Sequence, residues 1–187
     1  AHLNAPRELL RHFRVHVFGH APERPADCLV SFDDAVVAAV PFLRERDLRR
    51  AAAGETSTEA QQQLVDAIRT HYAAVAAVGR EMAGNRPLVA MGHLTALGAA
   101  TSESEREIHI GNLGRVRGDV FAGFDCTVLG HLHRPQRVGG NDCVRYSGSP
   151  LALSFSEADD AKSVCLVDVE RGRPPVHTLL PVPQTRR

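Results

Sequence analysis

Tryptophan is missing from this 187-residue chain, aromatic residues make up only 5 %, and one lysine, Lys162, stands among the 22 basic residues. An excess of charge of either sign is missing too, since 22 Asp+Glu balance the 22 Lys+Arg. A neutral chain has no basic coat for a phosphate backbone, so any contact with DNA or RNA has to come from local arginines or a metal. No run approaches the roughly 18 apolar residues of a membrane span. None of the four cysteines, Cys28, Cys126, Cys143 and Cys165, forms a CxxC pair, and each has apolar neighbours. Free, buried thiols in a reducing cytoplasm are the expectation, and a disulfide knot is excluded. The sequence opens at Ala1 without an initiator methionine, as expected of a processed chain or a fragment.

What is there is a globular composition. The 43 % hydrophobic content supplies one packed core and excludes a fibrous or disordered protein. A short helix is expected over Asn4–Phe13, with Asn4 as N-cap, Pro6 in the first turn, and Leu9, Leu10 and Phe13 on one face. Val15–Phe18 alternates as a short strand, and Cys28–Val30 and Val36–Val40 are further strands. Arg44–Ala53 reads as a helical turn and loop. Thr58–Met82 is the longest helical pattern, with Leu64, Ala67, Ile68, Tyr72, Val75 and Val78 at spacings of three and four. Strands follow at Leu88–Met91, Ile108–Ile110, Cys126–Leu129, Val144–Tyr146, Ser163–Val169 and Val176–Leu180. The order predicts an α/β fold: two sheets flanked by helices.

Two of these strands end alike. Leu88–Met91 runs into Gly92-His93, and Cys126–Leu129 runs into Gly130-His131-Leu132-His133. Ligands of open α/β sheets sit off the carboxyl ends of strands, and glycine there permits a sharp turn and a close backbone approach. A lone strand-end histidine is ordinarily a hydrogen-bonded structural residue. Two such endings together point to a metal centre built from His93, His131 and His133, for which Mn, Fe, Zn or Ni is suitable. Past the strand end the chain is expected to curve, so that His131 and His133 both reach a bimetal centre from one side. Neither motif is flanked by a bridging carboxylate, because Asp125 precedes its strand and belongs at the far end. His2, His12, His16, His20, His71, His109 and His177 share no geometry and read as structural. Ser147-Gly148-Ser149-Pro150 closes a strand as a tight turn, whose ordinary reading is a β-turn and whose functional one is phosphate binding through backbone N–H groups. Arg44, Arg46, Arg49 and Arg50, interleaved with Glu45 and Asp47, read as a solvated face rather than a phosphate patch.

Gly92-His93-Leu94-Thr95, Ser104–Ile108 with Gly111, Leu129–His133, Val144–Pro150 and Leu153-Ser154-Phe155 occur in an order that resembles the SbcD family. These are bacterial nuclease subunits of the calcineurin-like metallophosphoesterase superfamily, and Pro41–Arg44 is similar to the segment upstream. The resemblance implies a β-sandwich of two sheets flanked by helices, with residues 1–183 as the C-terminal two-thirds of the nuclease domain, its first strands absent, and 184–187 as a tail. It implies two Mn²⁺ in the intact protein, with His93 and His131 on one ion and His133 on the other, and one ion or none in this chain. A metal-bridging hydroxide would attack the phosphodiester in line. The implied activity is double-strand DNA exonuclease coupled to the ATPase SbcC, plus single-strand endonuclease at hairpins, in DNA repair, recombination and replication.

Gly148, Ser149 and Arg134 are the expected phosphate contacts. The family's Asp-x-His, Gly-Asp and Gly-Asn-His-Asp motifs do not occur here as the family has them, so the resemblance places the bridging aspartate and the acid histidine before Ala1. It leaves no catalytic residue in this chain and implies that the chain alone is inactive. The expected partners are DNA and SbcC, with a homodimer in the intact protein only and no membrane. The alternatives are another metallophosphoesterase, either a phosphatase or a cyclic-nucleotide phosphodiesterase, or a non-catalytic metal-binding or assembly module.

Overall fold

A computed structural model describes residues 6–49, 54–96, 98–100 and 116–183. Its elements run α1 (Arg7–His12), β1 (Leu29–Ser31), β2 (Val36–Ala39), α2 (Glu45–Leu48), α3 (Ser57–Ala83), β3 (Leu88–His93), β4 (Cys126–Gly130), β5 (Gln136–Val138), β6 (Asn141–Tyr146), β7 (Ser163–Asp168) and β8 (Val176–Pro181). Six strands form one sheet in the order β1-β2-β3-β4-β6-β5, and β7-β8 form a second, two-stranded one. Strands β2, β3, β4 and β6 are mutually parallel, while β1 and β5 close the edges antiparallel. This is the expected α/β class with two sheets.

Helix α3 positions the site from behind. Thr56 caps it, accepting from the Glu59 N–H while the Glu59 carboxylate accepts from the Thr56 N–H, a reciprocal box that satisfies two otherwise orphaned donors. Gly84, at φ 58°, ends it. Its buried stripe of Leu64, Ile68, Tyr72 and Val75 packs on the sheet side where Val36, Ala38, Leu88 and Ala90 are also buried. Each fully buried large side chain there stabilises the fold by about 1.5–3 kcal/mol. Asp125 lies just before the amino end of β4, as expected. Its carboxylate accepts from Arg80 Nη1 at 2.9 Å and from the Leu88 N–H at 2.7 Å, tying α3 to the starts of β3 and β4.

The opposite sheet face is covered in part by the β7-β8 hairpin. His177 Nε2 lies 2.8 Å from the Asp142 carbonyl, and Arg171 reaches the carbonyl of Gly84. A cavity of about 650 Å³ opens between the two sheets, lined by Phe42, Met91, His93, Val128, Cys165 and Val167 among others.

Several local expectations need correction. Val15–Phe18 is not a strand, because among the described residues its alternating pattern has no neighbouring strand to pair with. Helix α1 starts at Arg7 with Pro6 in the cap position and buries none of its residues; Asn4 lies outside the described residues. Strand β5 is not among the expected strands, because three residues flanked by turns are too short to show a period. The arginine run is not one solvated face. Arg49 has only 8 % of its side chain exposed and pairs with Glu55, which has 7 % exposed, at 2.8 Å. Arg44 pairs with Asp47 at 2.7 Å. Arg50 and the expected strand at Ile108–Ile110 lie outside the described residues. All four cysteines are free, Cys28 and Cys126 buried and Cys143 and Cys165 partly exposed.

Candidate functional site

The two Gly-His endings meet. His93, the last residue of β3, pairs in register with Gly130, the last of β4. The His93 and His131 rings lie edge to face with centroids 5.2 Å apart, and Phe42 stands edge-on to His93 at 5.8 Å. The glycines are required by protein contacts. A Cβ on Gly92 would lie 2.3 Å from the Tyr72 hydroxyl, and one on Gly130 would lie 3.0 Å from His93 Nδ1. Neither glycine has a positive φ. The turn after β4 is made by His131 itself, at φ 99°, a region where an L side chain costs of order 1–3 kcal/mol. Strained backbone at a non-glycine residue persists where the surroundings over-determine it, and here it is what swings His131 onto His93.

Burial holds His93 below the ordinary imidazole pKa, and the nearby charge of His133 adds to this. The ring is therefore neutral near pH 7, with one nitrogen free of a proton and able to bind a Lewis acid. The strand end is braced by Tyr146, fully buried at the end of β6. Its hydroxyl donates to the Leu94 carbonyl and accepts from the Ala96 N–H, both at 2.8 Å.

His133 is held from the other side. Its Nδ1 lies 2.6 Å from Glu157 Oε1. Glu157 is 1 % exposed and comes from a single helical turn at Phe155–Glu157. Lys162 Nζ donates to Glu157 Oε2 at 2.8 Å and to Ser149 Oγ at 3.1 Å, and stands 3.7 Å from Asp160. Sequence reasoning missed Glu157 and Lys162. The only signal in the sequence is that one lysine stands where every other basic residue is arginine.

The expected phosphate contacts fall around this knot. The Ser149 N–H donates to the His133 carbonyl at 3.0 Å, its hydroxyl donates to the Leu151 carbonyl at 2.8 Å, and the residue is 8 % exposed. A side chain at Gly148 would run into Pro135 and the same His133 carbonyl, so this turn supports His133 from behind. Arg134, with 56 % of its side chain exposed, pairs with Asp160 at 3.2 Å.

These donors do not make up a metal site by themselves. Among the described residues, no group of three or more His, Cys, Asp or Glu side chains is disposed to hold an ion. His93 and His131 form an adjacent pair, while His133 is engaged with Glu157 through Nδ1. The chemistry present is that of imidazole donors gathered at the carboxyl ends of two parallel strands, where ligands of α/β sheets bind.

No protein-family model matches the chain. It is 39 % identical over 181 residues to the SbcD subunit of the nuclease SbcCD from Escherichia coli (strain K12), an alignment covering 92 % of this chain and 44 % of that protein. The protein of the same name from Rhodobacter capsulatus is 40 % identical over 195 aligned positions, 97 % of this chain and 47 % of its own length. That of Staphylococcus epidermidis is 38 % identical over 102 residues, 54 % of this chain and 27 % of its own. The chain therefore spans less than half the length of these curated relatives.

Proposed function

From a chain that is SbcD-related along 92 % of its length, we propose that the intact protein is a DNA nuclease subunit that hydrolyses phosphodiester bonds with the help of manganese. In this reading it works with an SbcC-type ATPase, degrades double-strand ends and cuts hairpins, in the cytoplasm. The observation that carries it is the edge-to-face pair of His93 and His131 at the carboxyl ends of β3 and β4, in a chain matched along most of its length by the relatives. His93, His131 and His133 would be the imidazole ligands, and Arg134 the exposed cation nearest to them in sequence.

A two-metal phosphodiesterase centre also needs bridging carboxylates, and the described residues bring no such cluster to the pair. The 187-residue chain alone is accordingly expected not to cleave. The test is Mn²⁺-dependent cleavage of a hairpin DNA by the intact protein, beside His131→Ala and beside the isolated chain. Cleavage by the intact protein and loss of it in the variant support the reading. Cleavage that survives His131→Ala, or none by the intact protein, overturns it, and the second result favours a non-catalytic metal-binding or assembly module.

A further inference from the structure

Glu157 has no oxygen to spare. Oε1 faces His133 Nδ1 at 2.6 Å and the Ser154 hydroxyl at 3.3 Å. Oε2 faces Lys162 Nζ at 2.8 Å and the Leu153 N–H at 3.2 Å. A carboxylate so occupied, at 1 % exposure, is poorly placed to bind an external ligand through its own oxygens. What it can do is dictate the state of the ring it touches. A carboxylate accepts and does not donate, so it selects a proton on Nδ1.

The choice of lysine as its counter-charge fits this role. The chain meets every other need for a basic side chain with arginine. At position 162, however, an ammonium with 1 % exposure lies within 3.7 Å of Glu157, Ser149 and Asp160. A compact ammonium can point three donors in three directions, whereas a planar guanidinium cannot do so in the same space. Lys162 holds Glu157 still by donating to Oε2, and Ser149 closes the circle by donating its N–H to the His133 carbonyl.

We propose that Glu157, clamped by Lys162, is a positioning residue that fixes the His133 ring as its Nδ1–H tautomer. The inference concerns the state of the His133 ring and stands apart from the proposed nuclease reading. The buried pair differs from a plain structural salt bridge in one measurable respect, because it sets a proton position on a third residue.

The experiment is a long-range ¹H–¹⁵N correlation spectrum of the intact protein labelled with ¹⁵N-histidine, taken where the rings are neutral, with His133 assigned by its absence in His133→Ala. The wild type is expected to show His133 protonated on Nδ1. Replacing the pair together, Glu157→Leu with Lys162→Met, removes the acceptor without stranding a charge, a change proteins often tolerate. It is expected to move the proton to Nε2. Glu157→Gln with Lys162→Met restores a neutral acceptor and is expected to bring the Nδ1–H form back.

A wild-type His133 protonated on Nε2, or an apolar double variant that keeps the Nδ1–H form, overturns the proposal. If the apolar variant fails to fold, the wild-type spectrum decides alone. No nuclease assay enters, so a protein that shows this tautomer and cleaves nothing refutes the proposed function and leaves the inference standing.

Discussion

The Tyr72 hydroxyl stands where a side chain on Gly92 would have to be: a Cβ there would lie 2.3 Å from it. The contact links the long helix α3 to the strand end that carries His93. It predicts that Gly92→Ala is destabilising by about 1–3 kcal/mol, the usual cost of forcing a methyl into a packed core. Tyr72→Phe in the same background should recover most of that loss. By itself Tyr72→Phe should be neutral or stabilising, because among the described residues the buried hydroxyl has no hydrogen-bond partner and its removal ends a desolvation cost. Urea denaturation midpoints of the three variants decide. A Gly92→Ala midpoint equal to wild type would show that the helix does not press on the strand as described.

The φ of 99° at His131 leads to a comparison of two substitutions. His131→Ala and His131→Gly both delete the imidazole, but only glycine occupies this region without a steric penalty. His131→Gly is expected to be the more stable by roughly 1–2 kcal/mol. Equal stabilities would mean that the strand end relaxes once the ring is gone, and that the ring contact with His93, rather than the backbone, holds the turn.

Acid should loosen the fold through two histidines. Burial pushes the pKa of His71 below its ordinary 6.5, and burial with the charge of His133 does the same to His93. In both cases the unfolded chain takes up the proton more readily than the folded one. The contribution of the neutral rings is thus complete above 6.5 and is lost as pH falls from there through the depressed folded values. Thermal midpoints should drop across that window, and His71→Leu should flatten the drop. An unchanged slope in that variant would exclude His71 as a source of it.

Alkylation should sort the thiols by place. Burial pushes Cys28 up to about 11 and Cys126 up to about 12, so neither forms thiolate near neutrality. Cys143 and Cys165 are partly exposed. Iodoacetamide followed by peptide mass mapping is expected to find label first on Cys143 and Cys165, and on the other two only after denaturation. Early labelling of Cys126 would show that β4 is not shielded as described.

Much of the framework is legible because it is local. The α3 stripe from Leu64 to Val78 is a period, and Gly92-His93 and Gly130-His131 are adjacent residues at the ends of apolar runs. Whatever depends on a partner far along the chain is not legible in this way. Glu157 lies 24 residues from His133, across a turn, two strands and a loop, and nothing in a Phe-Ser-Glu segment marks it as the carboxylate that grips a ring. Gly92 and Gly130 differ from expectation for the same reason: each makes room for a protein side chain rather than for a sharp turn. Val15–Phe18 shows the reverse case, since its alternation meets no neighbouring strand among the described residues and the segment is not a strand.

The burial of Lys162 also has a practical use. With its side chain at 1 % exposure, the folded chain offers no accessible lysine to amine-acylating reagents. Acylation of that side chain requires the knot around Glu157 to open, so its rate under mild labelling is a clock for how often His133 is let go.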